Sequence, residues 1–420
     1  MDTIETLSME ARNRQTRGRS GNHRQLAYVG DVSVEGTFHG SAVLYRLFSK
    51  NPDQCRIIEL GRHSDPENRV EHAFYENVKY ASQNLRRSGL GDLGRLVNYT
   101  LLESTIRRVR RSCEDVDAIV TVAHGLGWLV ADAVARQLHK PLHLIVHDYP
   151  SQTFPRTPLK TQSIERAFLQ AYVGAASRMC VSPYMESYYR ERTGTPGSVL
   201  LPGRSQVVSD QPYAAARVRG HATFTIGLFG TVYSESSLQI LRSLAQSIQE
   251  TFGAESRINI YGVPPGVTLR SRLSKDLPIQ FRGYIPASEF VALLREELDA
   301  LFLPIPFEET SLNMRIHFPS KLTDYTATGL PILVCGPRSS SALKWTSQFP
   351  DAFIACDAPD GLPAAVARMQ HYDDCVSLGA NSYAIGNEHF DYSLIGNQFW
   401  DTIQSSVSPR QASELATDAA

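Results

Sequence analysis

The spacing of apolar residues along the chain switches repeatedly between two periods. Short β-branched runs, QLAYVGDV, RIIEL, AIVTVA, LHLIVH, RMCVS and SVLLP, begin at Gln25 and mark the first half. Between them lie stretches with apolar residues at helical spacing, such as TLLESTIRRVRRS and WLVADAVARQLH, and a further helix from about Gly40 to Ser49. Short continuous apolar runs read as strands buried on both faces; the longer period reads as amphipathic helix. Their alternation predicts a parallel sheet with helices on both sides. Residues Val208 to His221 are polar, with few large aliphatics, and the pattern then restarts: TFTIGLFG, RINIYG, PIQFRGYI, DALFLPI, PILVCG and AFIAC, with helical stretches such as SSLQILRSLAQSIQETFG between them. The fold class is therefore α/β, with two Rossmann-like α/β/α domains in sequence. The boundaries are a polar, disordered Arg-rich tail at 1–24, a first domain at 25–207, a linker at 208–220 and a second domain at 221–385. A terminal helix at 386–406 and a disordered tail at 407–420 follow. Two such domains face each other across a cleft at the carboxyl ends of their strands, where ligands bind.

One stretch carries more than pattern. FPSKLTDYTATGLPILVCGP, from Phe318 to Pro337, reads as a short helix, a tight stop and a buried strand. Pro319 suits a helix start, Ser320 an N-cap, and Gly329 the left-handed stop; Pro331 forbids any return to helix. The helix is expected from Lys321 to Thr328. A helix start carries unpaired N–H groups and partial positive charge, so a lysine in its first turn is disfavoured unless an anion sits between them. Lys321 therefore points to an anion site, above all for phosphate. Asp324, one turn on and on the same face, could grip a ribose diol. An ordinary surface helix with scattered charges is the competing reading.

Composition changes this picture little. The 420 residues are 42% hydrophobic and 20% charged, with formal net charge −1. That is an ordinary soluble composition, and it argues against general nucleic-acid binding. No run is apolar enough to span a membrane, and the first residues lack the apolar core of a secretory leader. The expected location is cytoplasmic, with at most peripheral contact between the Arg-rich tail and an anionic membrane. The six Cys are scattered without CxxC spacing and read as reduced thiols. Motif absences are also informative. No GxGxxG follows the first strand, no GxxxxGK[ST] occurs, and no GxSxG elbow is present. Asp115 and Asp117 precede a strand and read as a polar loop. His143 and His147 lie in a β-branched run, which spreads them roughly 13 Å apart, so they are not a helical zinc pair. No metal site and no cofactor are expected.

The order YGV, IQFRGYIPASEF, LDALFLPI, FPSKLTDYTATGLPILVCG resembles the nucleotide-binding domain of GT-B-fold glycosyltransferases, above all the retaining family four ("glycosyl transferases group 1"). The resemblance is strongest from about Thr225 to Pro337 and compatible from Gln25 to Ser182. PSKLTDYTATGLPIL is its most specific part. The closing NEHFDYSLIGNQFW is similar to that family's terminal helix, which crosses back to the first domain.

The resemblance implies transfer of a sugar from a nucleoside diphosphate sugar, a co-substrate, to an acceptor hydroxyl, with retention and without a metal. Ser320, Lys321 and Leu322 match positions at the donor diphosphate, and Asp324 matches a ribose-binding carboxylate that is commonly Glu. Gly230 and Thr231 match the turn after the domain's first strand, and Tyr261, Gly262 and Tyr284 match neighbouring donor-site loops. In the first domain His147 matches a His beside the reacting sugar. Gly36, Thr37 and His39 match the loop near phosphates and acceptor, and His124 lies at another strand end towards the acceptor. The sequence departs from the family twice. TVYSESSLQ lacks the Arg and Lys that often follow the turn, and Ile316 stands where the first of two spaced Glu is usual. Glu308 or the adjacent Glu309 could face the donor sugar instead. The acceptor stays open among a glycan, a lipid-linked sugar, a protein and a small molecule. A nucleotide-sugar 2-epimerase and an inactive glycan-binding or scaffold member are the alternatives on the same fold.

Overall fold

The computed structural model describes residues 25–36, 39–61, 63–78, 101–149, 158–205, 208, 223–230, 235–262, 277–286, 288–307 and 311–406. Both tails, most of the linker, Thr37, Thr231, Glu308 and Glu309 lie outside them.

The first domain is a seven-stranded sheet in the order β3-β2-β1-β4-β5-β6-β7. Its strands are β1 (Leu26–Gly30), β2 (Cys55–Leu60), β3 (Phe74–Val78), β4 (Ala118–Val122), β5 (Leu142–Val146), β6 (Ser177–Cys180) and β7 (Ser198–Val199). The second is six-stranded, in the order β10-β9-β8-β11-β12-β13. It comprises β8 (Thr225–Phe229), β9 (Arg257–Tyr261), β10 (Ile279–Gly283), β11 (Ala300–Pro304), β12 (Ile332–Cys335) and β13 (Ile354–Cys356). All pairings are parallel. A parallel sheet buries both faces, and the central strands β1, β4 and β5 are buried at every position.

Helices cover both faces. In the first domain these are α1 (His39–Phe48), α2 (Leu102–Ser112), α3 (Gly127–Leu138), α4 (Pro158–Gly174) and α5 (Pro183–Thr193). In the second they are α6 (Glu235–Phe252), α7 (Phe290–Glu297), α8 (Leu312–Ile316), α9 (Ser320–Tyr325), α10 (Ser341–Thr346) and α11 (Leu362–Ala367), then α12 (Tyr372–His389) and α13 (Tyr392–Ser406).

Three expectations shift. The Pro-Ser-Lys helix stops at Tyr325 and turns as far as Gly329, whose φ of +66° is the left-handed stop. Its N-cap is Pro319 in extended conformation, so Ser320 is already helical and makes no capping bond. The terminal helix is broken at Phe390 and Asp391. Phe390 is buried, and the Asp391 carboxylate caps α13 by accepting from Ser393 N and Leu394 N, both at 2.9 Å. Finally, β3 (FYENV) pairs on the sheet edge without a β-branched run to announce it.

The two domains share one continuous core. Trp128, Leu144 and Phe168 of the first belong to the same buried cluster as Ile226, Leu301 and Phe318 of the second. The segment leaving β7 is sealed by Arg204, which is 1% exposed. Its guanidinium donates to Thr326 O at 3.4 Å and to the Asn387 side chain, and it lies 4.9 Å over the Tyr383 ring. Helix α13 packs on α1, where Trp400 Nε1 donates to Leu47 O at 3.0 Å and Phe399 meets Phe48 edge-on at 5.7 Å. Replacing Arg204 with Met strands the carbonyl of buried Thr326 and removes the bond to the Asn387 side chain. Arg204→Met is expected to lower unfolding free energy by on the order of 3 kcal/mol, read as a shift in the urea midpoint at constant slope.

Candidate functional site at the seam between the domains

In each sheet the strand order reverses beside the domain's first strand, between β1 and β4 and between β8 and β11. At such a switch point neighbouring crossovers leave in opposite directions and open a crevice beyond the strand ends. The residues that follow these strands build the site.

In the second domain Gly230 follows β8 with φ +100°, Gly262 follows β9 with φ +107°, and Gly283 ends β10 with φ +80°. The three are tied side by side: Gly230 N donates to Tyr261 O at 2.9 Å, and Gly262 N to Gly283 O at 2.7 Å. The N–H groups of Gly230 and Gly262 are therefore committed to the protein, and what these glycines offer a ligand is the absence of a side chain. Helix α9 is pinned above them by Tyr325. Its hydroxyl accepts from Phe229 N at 2.9 Å and donates to Phe302 O at 3.2 Å, joining α9 to both β8 and β11. That anchorage brings Lys321 onto Gly230. A Cβ placed on Gly230 would lie 2.0 Å from Lys321 Nζ. Among the described residues Lys321 has no ion pair, and burial pushes its ammonium down to about 8.

The other expected donor-site residues divide. Leu322 is fully buried, and its N–H is spent on Pro319 O at 3.0 Å. Tyr261 is buried and stacked on Phe229 at 4.9 Å, with its hydroxyl turned to Glu297 Oε2 at 2.7 Å, so its side chain belongs to the core. Tyr284 is 60% exposed just after Gly283. Ser320 opens α9 beside Lys321. Asp324 faces the first domain, where Oδ1 meets Arg46 Nη1 at 2.8 Å and accepts from Ser205 N at 3.1 Å.

In the first domain His147 follows β5 and His124 follows β4. Burial pushes the His147 imidazole down to about 4, Asp148 partly opposes this, and His124 adds to it. At neutral pH His147 is uncharged. Asn313 of α8 crosses the seam to the same loop: its Nδ2 donates to Asp148 Oδ1, and its Oδ1 accepts from Tyr149 N, both at 2.9 Å. His317 closes the group, with Nδ1 at 2.7 Å from Asn313 O; burial lowers its pKa, against the influence of that carbonyl and of Asp148. Gly36 is held by its N–H to Asn68 O at 3.0 Å, and His39 opens α1. Ile316 is buried, and its carbonyl accepts from Ser182 Oγ across the seam.

The sequence reading missed Arg46, Asn313 and His317. Asn313 and His317 stand seven and three residues before Ser320, within the stretch searched for a Glu. Nothing local marks Arg46, which looks like any arginine on an amphipathic helix. Among the described residues no His, Cys, Asp and Glu group is arranged to hold a metal ion, and no helix is long and apolar enough to cross a membrane.

Comparison with known proteins places the fold. No protein-family model matches the chain, and no curated protein is significantly similar to it. Solved structures do match. Anabaena HepE in complex with UDP and glucose superposes with TM-score 0.63 at 14% identity, covering 91% of this chain and 100% of that one. Sucrose-phosphate synthase from Thermosynechococcus elongatus gives TM-score 0.64 at 14% identity, covering 91% and 99%. WaaG, a glycosyltransferase involved in lipopolysaccharide biosynthesis, gives 0.57 at 12% identity, covering 89% and 98%. The chain has the two-domain GT-B architecture of these structures.

His143 provides a contrast to His147 on the same strand. It is fully buried, with Nδ1 at 2.8 Å from Ser177 Oγ and no partner for Nε2, and burial lowers it from 6.5 to about 4. A folded-state pKa below the unfolded value favours the neutral form. Its contribution is complete above about pH 6.5 and is lost as pH falls through that value towards 4. His143→Gln is expected to flatten the loss of thermal stability across that window, measured by melting temperature against pH; an unchanged slope assigns the loss to other groups.

Proposed function

We propose that the protein is a glycosyltransferase that moves a sugar from a nucleoside diphosphate sugar to an acceptor hydroxyl. The observation that carries this reading is the Lys321 ammonium, partly desolvated against a Cβ-less Gly230 and without a carboxylate partner among the described residues. A cation kept from water without a counter-ion favours binding an anion there. The glycines at the ends of β8, β9 and β10 let a diphosphate approach the backbone closely. Exposed Tyr284 supplies a flat apolar surface beside them for a nucleotide base. HepE, solved with UDP and glucose on the same architecture, supports a nucleotide-sugar donor.

Lys321 would stabilise the charge that develops on the leaving diphosphate, in a seam that excludes water. His147, neutral at pH 7, would hydrogen-bond a sugar hydroxyl without competing for the diphosphate as a second cation. Asn313 fixes Asp148 and so orients the loop that carries this imidazole. The reaction is read as proceeding with retention and without a metal, as the resemblance to family four implies.

Lys321→Ala should weaken nucleoside diphosphate binding by roughly 1.5–3 kcal/mol, about 10- to 150-fold in Kd. In the wild type the affinity should fall as pH rises through about 8, because the ammonium that attracts the diphosphate is lost there rather than near 10.5. Calorimetric titration with UDP, GDP, ADP and TDP at pH 7 and pH 9 measures both. Unchanged affinity in the variant removes the reading.

A further inference from the structure

Asp324 lies one turn beyond Lys321 on α9 and so faces any nucleotide whose diphosphate rests on that lysine. A carboxylate grips a vicinal diol with both oxygens, one to each hydroxyl. Here Oδ1 is already used twice, by Arg46 Nη1 at 2.8 Å and by Ser205 N at 3.1 Å. Arg46 is itself fixed, since Nη1 also donates to Gly203 O at 2.6 Å. The pair is largely covered, with side chains 14% and 21% exposed. Turning Asp324 towards a ligand would leave a half-buried guanidinium without its counter-charge. The aspartate is also one methylene too short to span both tasks. Only Oδ2 remains to it, enough for one hydroxyl.

We propose that this chain scarcely distinguishes ribose from 2′-deoxyribose in its nucleotide, because the Arg46–Asp324 tie across the domains removes the bidentate grip on the 2′,3′-diol. The 3′-hydroxyl, common to both sugars, takes the remaining oxygen. Donors built on a 2′-deoxynucleoside diphosphate then fall within its substrate class beside ribonucleotide donors. This inference rests on the nucleotide-sugar reading above.

The test is calorimetric titration of the full chain with matched pairs: UDP and 2′-deoxy-UDP, GDP and 2′-deoxy-GDP, ADP and 2′-deoxy-ADP. The expected result, for the base that binds, is a Kd ratio within about twofold in the wild type. In Arg46→Met, which keeps the aliphatic packing and leaves Oδ1 with the Ser205 N–H alone, the ribonucleotide should gain at least threefold over its 2′-deoxy partner. A tenfold or greater loss for the 2′-deoxy form in the wild type overturns the proposal. A variant ratio equal to the wild-type ratio overturns its assignment to the Arg46 tie. Binding of neither member of any pair overturns it together with the nucleotide reading, a result distinct from tight but discriminating binding.

Discussion

A lysine held partly out of water, with no carboxylate paired to it among the described residues, is the constraint around which the candidate site is arranged. Burial alone lowers the Lys321 pKa, so the folded chain bears a cost for keeping it protonated. The surroundings maintain that condition. Gly230 yields the space that any side chain would fill, and the Tyr325 hydroxyl locks α9 to both strands at the switch point. Asp324, one turn away, is the obvious acid to neutralise the lysine, and Arg46 occupies it instead. Gly230, Tyr325 and the Arg46–Asp324 pair thus keep one positive charge available.

The seam that holds this arrangement is packed as a core. One apolar cluster holds Trp128 and Leu144 together with Phe318, Ile226 and Leu301, so the domains meet through apolar packing. Arg204 threads its guanidinium into that seam and binds the turn after α9 and the side of α12 together. Helix α13 then returns to α1, the helix that supplies Arg46. The position of Arg46 relative to Asp324 therefore follows from packing at three places and does not depend on the ion pair alone. A half-buried pair positioned in this way specifies geometry more than it adds stability.

Much of the architecture was legible in the sequence, for a physical reason. Strands buried on both faces must be apolar throughout, so β1, β4, β5, β11 and β12 appear as continuous runs, and the stop at Gly329 appears because a positive φ calls for glycine. β3 was not legible, since an edge strand buries little and FYENV carries two polar residues within it. The break before α13 was hidden because Phe390 continues the apolar pattern while Asp391 supplies a cap. In the candidate site, the glycines and Lys321 stand out in the sequence by their own chemistry. The roles of Leu322 and Tyr261 could not, since a side chain's direction depends on what packs against it. Arg46 and Asn313 act only through partners in the other domain, and no local pattern encodes that.

The Ile316 position shows how the chain manages without the spaced carboxylates of the family it resembles. A carboxylate there would have to enter the seam, where Ile316 is 5% exposed and its carbonyl is bonded to Ser182. Polar groups instead reach the seam from either side of Ile316, Asn313 one turn before and His317 immediately after, and Asn313 meets Asp148 and Tyr149 of the loop that carries His147 in the opposite domain. These groups differ from a glutamate in kind. Burial lowers the pKa of both imidazoles and so favours their neutral forms, and the one carboxylate among them is already engaged by the Asn313 amide. The result is a cation without an ion pair among the described residues over the glycine turns, and a separate hydrogen-bonding group of two imidazoles, an amide and one amide-bound carboxylate. Under the proposed function, this charge pattern would place a diphosphate at the lysine and a sugar ring at the imidazoles without a carboxylate gripping its hydroxyls. Because each half of that hydrogen-bonding group comes from a different domain, it exists only while the seam is closed, and packing of the seam therefore governs the candidate site as much as any single residue in it.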